Sequence, residues 1–189
     1  MKLEDIKTPE ELIGFRAKTV KYGFVSEDGK IYEPSPTFGS DMDKHYKIRL
    51  GEDLIRAGYG VCWDFTEFER LFFENRGIEH ECYYIKRYLA NGGTSTHAFL
   101  IYKDGDKWRW LEDLSKAYDT STQALEGIMP VLLNKHEGTI QNKFDLHKYP
   151  KVEENLTSAE FMEHCESEEQ MGKSQPVVRI KGNQNEQQN

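Results

Sequence analysis

Val61, Phe65, Phe68 and Phe72 recur at spacings of four, three and four, and no other feature of the chain constrains its fold as strongly. Apolar residues at that period line one face of an α-helix, and that face must be buried against a second layer. Gly58-Tyr59-Gly60 forms a flexible lead-in to this helix, which should stop near Asn75-Arg76-Gly77, where Gly77 can take the left-handed conformation of a helix end. Three strand-like segments follow: Glu81 to Leu89, His97 to Tyr102 and Lys107 to Glu112. The last two flank Asp104-Gly105, a strong hairpin signal. An amphipathic helix followed by a run of hairpin-connected strands predicts an α+β domain, with the helix packed on an antiparallel β-sheet.

Flanking elements complete this outline. Thr8-Pro9-Glu10-Glu11 opens a helix with Thr8 as N-cap, Pro9 at the first position and Glu11 closing a capping box, carrying Leu12 and Phe15 inward. Glu27-Asp28-Gly29 is the turn of a small hairpin between Tyr22 and Tyr32, and Pro34, Pro36 and Gly39 mark a loop. Further helices are predicted over Leu50 to Ala57, over Thr122 to Asn134 with Pro130 bending or breaking it, and from Thr157-Ser158-Ala159-Glu160 onward with Phe161 and Met162. Phe144 to Tyr149 reads as another strand. Residues 1–169 are expected to form one domain, and the polar, Asn/Gln-rich stretch 170–189 a disordered tail. Within that tail Val177, Val178 and Ile180 are candidates for a short edge strand.

The chain has 189 residues and a net charge of -8. Such an acidic balance argues against a nucleic-acid partner and against docking on anionic membranes, because both need basic surface. No apolar run approaches the ~18 residues of a membrane span, and the N-terminus lacks the apolar stretch of a signal peptide, so a cytoplasmic location is expected. The three cysteines, Cys62, Cys82 and Cys165, form no CxxC pair and no disulfide framework.

Cys62 stands out because it sits where a glycine-containing turn feeds a helix. Helix-start N–H groups favour a thiolate and can also stabilise an oxyanion. A thiolate also needs an imidazole, and His97 begins an apolar strand on the same face as Phe99 and Ile101. With Asp104-Gly105 as a two-residue turn, Ile101 opposes Trp108, Phe99 opposes Trp110, and His97 opposes Glu112. Directly opposed side chains have Cβ atoms about 4.5–5.5 Å apart. That register sets a carboxylate beside the imidazole, over an aromatic floor packed on the Cys62 helix. A three-residue loop would bring Asp113 there instead, and Glu112 is preferred because the shorter turn keeps both tryptophans on the buried face. Cys62, Cys82 and His97 match no usual zinc spacing, Asp41-Met42-Asp43 lacks the rest of a calcium loop, and no metal is expected. His45, His80, His136, His147 and His164 lie in polar surroundings and read as solvated, the acid run Glu163 to Glu169 as a solvated helix face, and Cys82 and Cys165 as bystanders.

Gly60-Val61-Cys62-Trp63-Asp64-Phe65, then His97-Ala98-Phe99, then Trp108 to Asp113, resembles the transglutaminase-like superfamily of papain-like cysteine enzymes. The matching stretch runs from about Gly58 to Ser115. The resemblance implies Cys62 as nucleophile, His97 as general base and acid, and Glu112 or Asp113 as orienting carboxylate. It also implies a substrate- or oxyanion-side role for Trp63, which follows the nucleophile. The family usually has Asp four residues after the Trp; here that position is Glu112, with Asp113 next, so both acids stay candidates. The expected chemistry is acyl transfer from an amide or ester of a protein or peptide substrate through a thioester, by a peptidase, amidase, deamidase or amine-accepting transferase, without a cofactor. The competing expectation is a catalytically inactive interaction module with the same fold.

Overall fold

Periodicity, turn glycines and helix caps act locally, and the elements they specify assemble around the helix bearing Cys62. The computed structural model describes residues 3–135 and 138–167. In chain order its elements are α1 (Pro9–Thr19), β1 (Lys21–Tyr22), β2 (Phe24–Val25), β3 (Ile31–Tyr32), α2 (Phe38–His45), α3 (Glu52–Ala57), β4 (Tyr59–Gly60) and α4 (Cys62–Glu74). There follow β5 (His80–Leu89), β6 (Thr94–Asp104), β7 (Lys107–Trp110), β8 (Asp113–Tyr118), α5 (Ser121–Asn134), β9 (Thr139–Lys148) and α6 (Ser158–Glu166). The protein is an α+β fold. Five strands form one antiparallel sheet in the order β8-β7-β6-β5-β9.

Each face of this sheet carries its own core. Cys82, Tyr84, Ala98, Leu100 and Tyr102 face α4, where they meet Phe68, Phe72 and Phe73. Tyr83, Ile85, Phe99, Ile101, Trp108 and Trp110 face α5 and its Leu125, Ile128 and Leu132. The side chains alternate across the sheet as strand geometry requires. The aromatic floor expected beneath the Cys62 helix therefore lies on the opposite face, under α5.

Helix α4 is also more enclosed than an amphipathic helix. Its charged residues Glu67, Glu69 and Arg70 are buried alongside its phenylalanines. Each has a partner: Arg70 pairs with Glu67 and donates to the Tyr149 carbonyl, Glu67 accepts from the Val152 N–H, and Glu69 pairs with Arg16 of α1. Buried charges persist when they are paired in this way.

Several expectations shift in detail. Glu11 reaches back to the N–H of Lys7 rather than that of Thr8, while Thr8 caps Glu11 as expected. The Thr157–Glu160 capping box forms. The loop marked by Pro34, Pro36 and Gly39 gives way to α2, which a glycine near its start does not prevent. Tyr59–Gly60 is no free lead-in, because it pairs in parallel with β1. Pro130 does not break α5, which runs through it to Asn134. Strand β8 was not expected at all. Glu166, within the acid run, binds Lys86 and the Tyr84 hydroxyl rather than facing only solvent. The tail beyond 169, its candidate edge strand and His136 lie outside the described residues. Among the described residues no helix is long and apolar enough to cross a membrane.

Two glycines give predictions of opposite sign. A Cβ on Gly60 would lie 2.5 Å from Leu54 Cδ1 and 2.9 Å from Phe65 Cε1, whereas one on Gly14 in α1 meets nothing within 4 Å. Gly60→Ala is expected to lower unfolding free energy by about 1–3 kcal/mol through overpacking. Gly14→Ala should raise it by roughly 0.5–1 kcal/mol through helix propensity. Urea titrations of the two variants check both signs.

Candidate active site

Cys62 is the first residue of α4, and Val61 is its N-cap. A valine side chain has no acceptor, so no side chain caps the first-turn N–H groups there. The turn is held from behind by Asp64, the third residue of the helix. Its carboxylate accepts the N–H of Val61 at 2.7 Å and that of Arg49 at 2.7 Å. Burial pushes this carboxyl up to about 7, with the two backbone N–H groups pulling the other way. An acid at the third helical position is a recognisable N-terminal signal, so this anchor was available in the sequence. On the other side, β1 pairs with β4, with Gly23 N–H donating to the Gly60 carbonyl.

The short β7 decides which acid meets His97. The β6–β7 ladder runs from Asp104 opposite Lys107 to Ile101 opposite Trp110, so the turn is Gly105-Asp106 rather than Asp104-Gly105. Gly105 takes φ 59°, the left-handed conformation that suits glycine. This two-residue slip keeps both tryptophans on one face with Phe99 and Ile101 but leaves His97 without a partner in β7. Instead the chain turns at Leu111 and Glu112 into β8, where Asp113 pairs with Trp110. Glu112 meets His97 from that turn, its Oε1 2.6 Å from His97 Nε2. The ladder of the sequence reading is thus incorrect, although the pair it named is in contact.

Glu112 is shared. Its Oε2 accepts from Lys135 Nζ at 2.6 Å, and that ammonium lies 5.1 Å from the centre of the Trp110 ring. Asp113 points elsewhere, accepting from the N–H and hydroxyl of Ser115. With Nε2 held by Glu112, Nδ1 is the ring nitrogen left for the Cys62 thiol. Burial by itself would lower the His97 pKa, but hydrogen bonds to Cys62 and Glu112 and the charges of both outweigh it and raise the imidazole to about 9. Burial likewise opposes ionisation of Glu112, yet His97 and Lys135 hold it down at about 2. The arrangement is a charge chain running from thiol to imidazole to carboxylate to ammonium.

These groups open into a cavity of about 300 Å³ that also has Arg16, Tyr22, Phe65 and Glu69 on its walls. The Arg16 guanidinium lies 4.9 Å from the centre of the Phe65 ring and pairs with Glu69. Burial pushes Glu69 up to about 7 despite that cation. Trp63 is not in the cavity. One residue past Cys62 the helix turns it inward, where its indole is 3% exposed and stacks on Phe161 at 4.6 Å. Its expected substrate-side role is replaced by core packing. Cys82 and Cys165 are buried, and burial pushes both thiols well up. Among the described residues no group of three or more His, Cys, Asp or Glu is arranged to hold a metal ion.

Tyr22, Lys135 and the Arg16–Glu69 pair escaped the sequence reading. They come from segments distant in the chain, and no local pattern distinguishes them from other polar residues. No protein-family model, curated protein or solved structure matches the chain.

The two shifts have opposite pH signatures. His97, raised above 6.5, contributes stability that is complete below 6.5 and lost as pH rises through about 9. Glu112, lowered from 4.5, contributes stability present above 4.5 and lost as pH falls through about 2. Between 4.5 and 6.5 both contributions are present. Glu112→Gln is expected to flatten both limbs of the stability profile and to bring the His97 titration back toward 6.5. Imidazole NMR and unfolding measured across pH check this; a His97 titration unmoved in the variant would assign its shift to Cys62 alone.

Proposed function

We propose that the protein is a cysteine-dependent acyl-transfer enzyme that attacks amide or ester carbonyls of protein or peptide substrates through a thioester on Cys62. The observation that carries this reading is the contact of His97 with Glu112 at 2.6 Å while the same ring shares one cavity with the Cys62 thiol at a helix start. With the imidazole raised to about 9, the proton already resides on His97 at neutral pH, and the thiolate of the resulting ion pair attacks the carbonyl carbon. Glu112 fixes the ring and stabilises the imidazolium, as the carboxylate does in a Ser-His-Asp triad. As the tetrahedral species collapses, the leaving amine takes the His97 proton, and water or a second amine then releases the acyl group. The order of Cys, His and acid along the chain agrees with a transglutaminase-like core, and the α+β architecture is compatible with one. Glu112 rather than Asp113 is the acid this reading uses, because Asp113 is committed to Ser115.

A non-catalytic module with the same fold would have no need of a reactive thiol, and that difference decides the test. Near pH 6, iodoacetamide and electrophilic peptide probes are expected to modify Cys62 selectively, with Cys82 and Cys165 untouched in the folded protein; peptide mass mapping identifies the site. His97→Ala should remove the selectivity, and Glu112→Gln should lower turnover by roughly 10³–10⁴-fold, the scale seen when a triad carboxylate is neutralised. Cys62 reacting no faster than a model thiol, with His97→Ala changing nothing, would overturn the reading.

A further inference from the structure

The reading of Cys62 as an acyl-transfer nucleophile requires a place for negative charge to develop on the substrate oxygen. Helix α4 supplies one donor, the Cys62 N–H at an end no side chain caps. A second donor must approach the thiol from outside the helix. The polar residues on the cavity wall leave few choices. Thr66 donates its hydroxyl to the Cys62 carbonyl at 2.8 Å, Arg16 is paired with Glu69, and Glu112 is held by His97 and Lys135. The Trp63 indole faces the core. Tyr22 remains.

Backbone pairing brings Tyr22 there. The parallel β1–β4 bridge sets Tyr22 beside Gly60, two residues before Cys62, with Lys21 N–H on the Gly58 carbonyl at 2.9 Å and Gly23 N–H on the Gly60 carbonyl at 3.1 Å. Tyr22 and Cys62 line the same cavity, and the charge of the cysteine is felt at the tyrosine hydroxyl. Its ring meets Phe65 edge-on at 6.1 Å, which fixes its direction. Core packing does not account for it, since Tyr22 is 50% exposed. Burial at the hydroxyl end, then the charge of Cys62, raise its pKa above the ordinary 10, so at neutral pH it keeps its proton and donates.

We infer that Tyr22 is a catalytic residue whose hydroxyl, together with the Cys62 N–H, forms the oxyanion hole of the acyl-transfer reaction. This role rests on the function proposed above. As the C–S bond forms, the carbonyl π pair moves onto oxygen, and both donors stabilise that charge. As the π bond re-forms, the C–N or C–O bond breaks, the leaving group takes the proton from His97, and the thioester remains on Cys62. Preorganised donors of this kind contribute only where charge develops, so they act on acylation and leave alkylation, an SN2 displacement at carbon, unaffected.

That distinction gives the experiment. The full chain and its Tyr22→Phe variant are treated with p-nitrophenyl acetate, following nitrophenolate release and acetyl mass on Cys62, and separately with iodoacetamide on the alkaline plateau of its pH profile. Tyr22→Phe is expected to slow acetylation by about 10²–10³-fold, the usual cost of one oxyanion donor. Alkylation should stay within about twofold, which also reports an intact fold and thiol. Equal acetylation of variant and wild type overturns the role of Tyr22 and leaves the acyl-transfer reading standing. Acetylation and alkylation falling together also overturn it, because Tyr22 then acts through the thiol. A wild-type Cys62 that is alkylated but never acetylated removes the acyl-transfer reading and this role with it.

Discussion

The buried carboxylate of Asp64 sets the direction in which α4 begins, and the site depends on that direction. By accepting the Val61 and Arg49 N–H groups it fixes the loop before the helix and the strand of chain that crosses it. Hydrogen bonds to an ionised acceptor are roughly twice as strong as neutral ones, and burial sharpens them. Burial also makes that ionised state costly, which is why this carboxyl is pushed up to about 7. A displacement at Asp64 would tilt the helix end, and with it the thiol. Gly60 permits the close approach of Leu54 and Phe65 that completes the turn.

Opposite the thiol, the arrangement depends on where a strand stops. Had β7 continued past Trp110, its backbone would occupy the space beside His97. Ending there lets Glu112 enter from a turn and bind two cations at once. Exposed ion pairs contribute little to stability. Here the side chains of His97 and Glu112 retain only 17% and 23% of their exposure, and their mutual orientation matters more than their energy.

Most elements were legible from local signals: the Phe68–Phe72 stripe, the glycine at position 77, the caps at Thr8 and Thr157, and the alternation from His97 to Tyr102. Local signals were insufficient where two neighbours offered the same chemistry. Asp104-Gly105-Asp106 allows two turns that differ only in which residue flanks the glycine, and the wrong one was preferred. Parity survived the slip, so the tryptophans stayed together, but their partner helix changed from α4 to α5. Helix α2 was hidden by prolines that precede it, and β8 by a polar composition suited to an edge strand. At the candidate site, Cys62 and Glu112 could be named from the sequence because each sits at an element boundary, and His97 because it opens the apolar run within β6. Lys135 and Tyr22 depend on contacts between distant segments, which a single sequence does not encode in any local form.

The cavity walls come from α1 and β1, from α4, from β6 and from the turn after β7. Every contact at the thiol except those within α4 therefore closes a long loop, and long-range closure is the slow part of folding. A chain emerging from its N-terminus carries Cys62 well before His97 and Glu112 exist to meet it. Until the later strands dock, the groups that would activate that cysteine under the proposed function are not beside it, so a competent site and completed tertiary structure would arrive together. Under the proposed function, assembly of the site is timed by the fold itself.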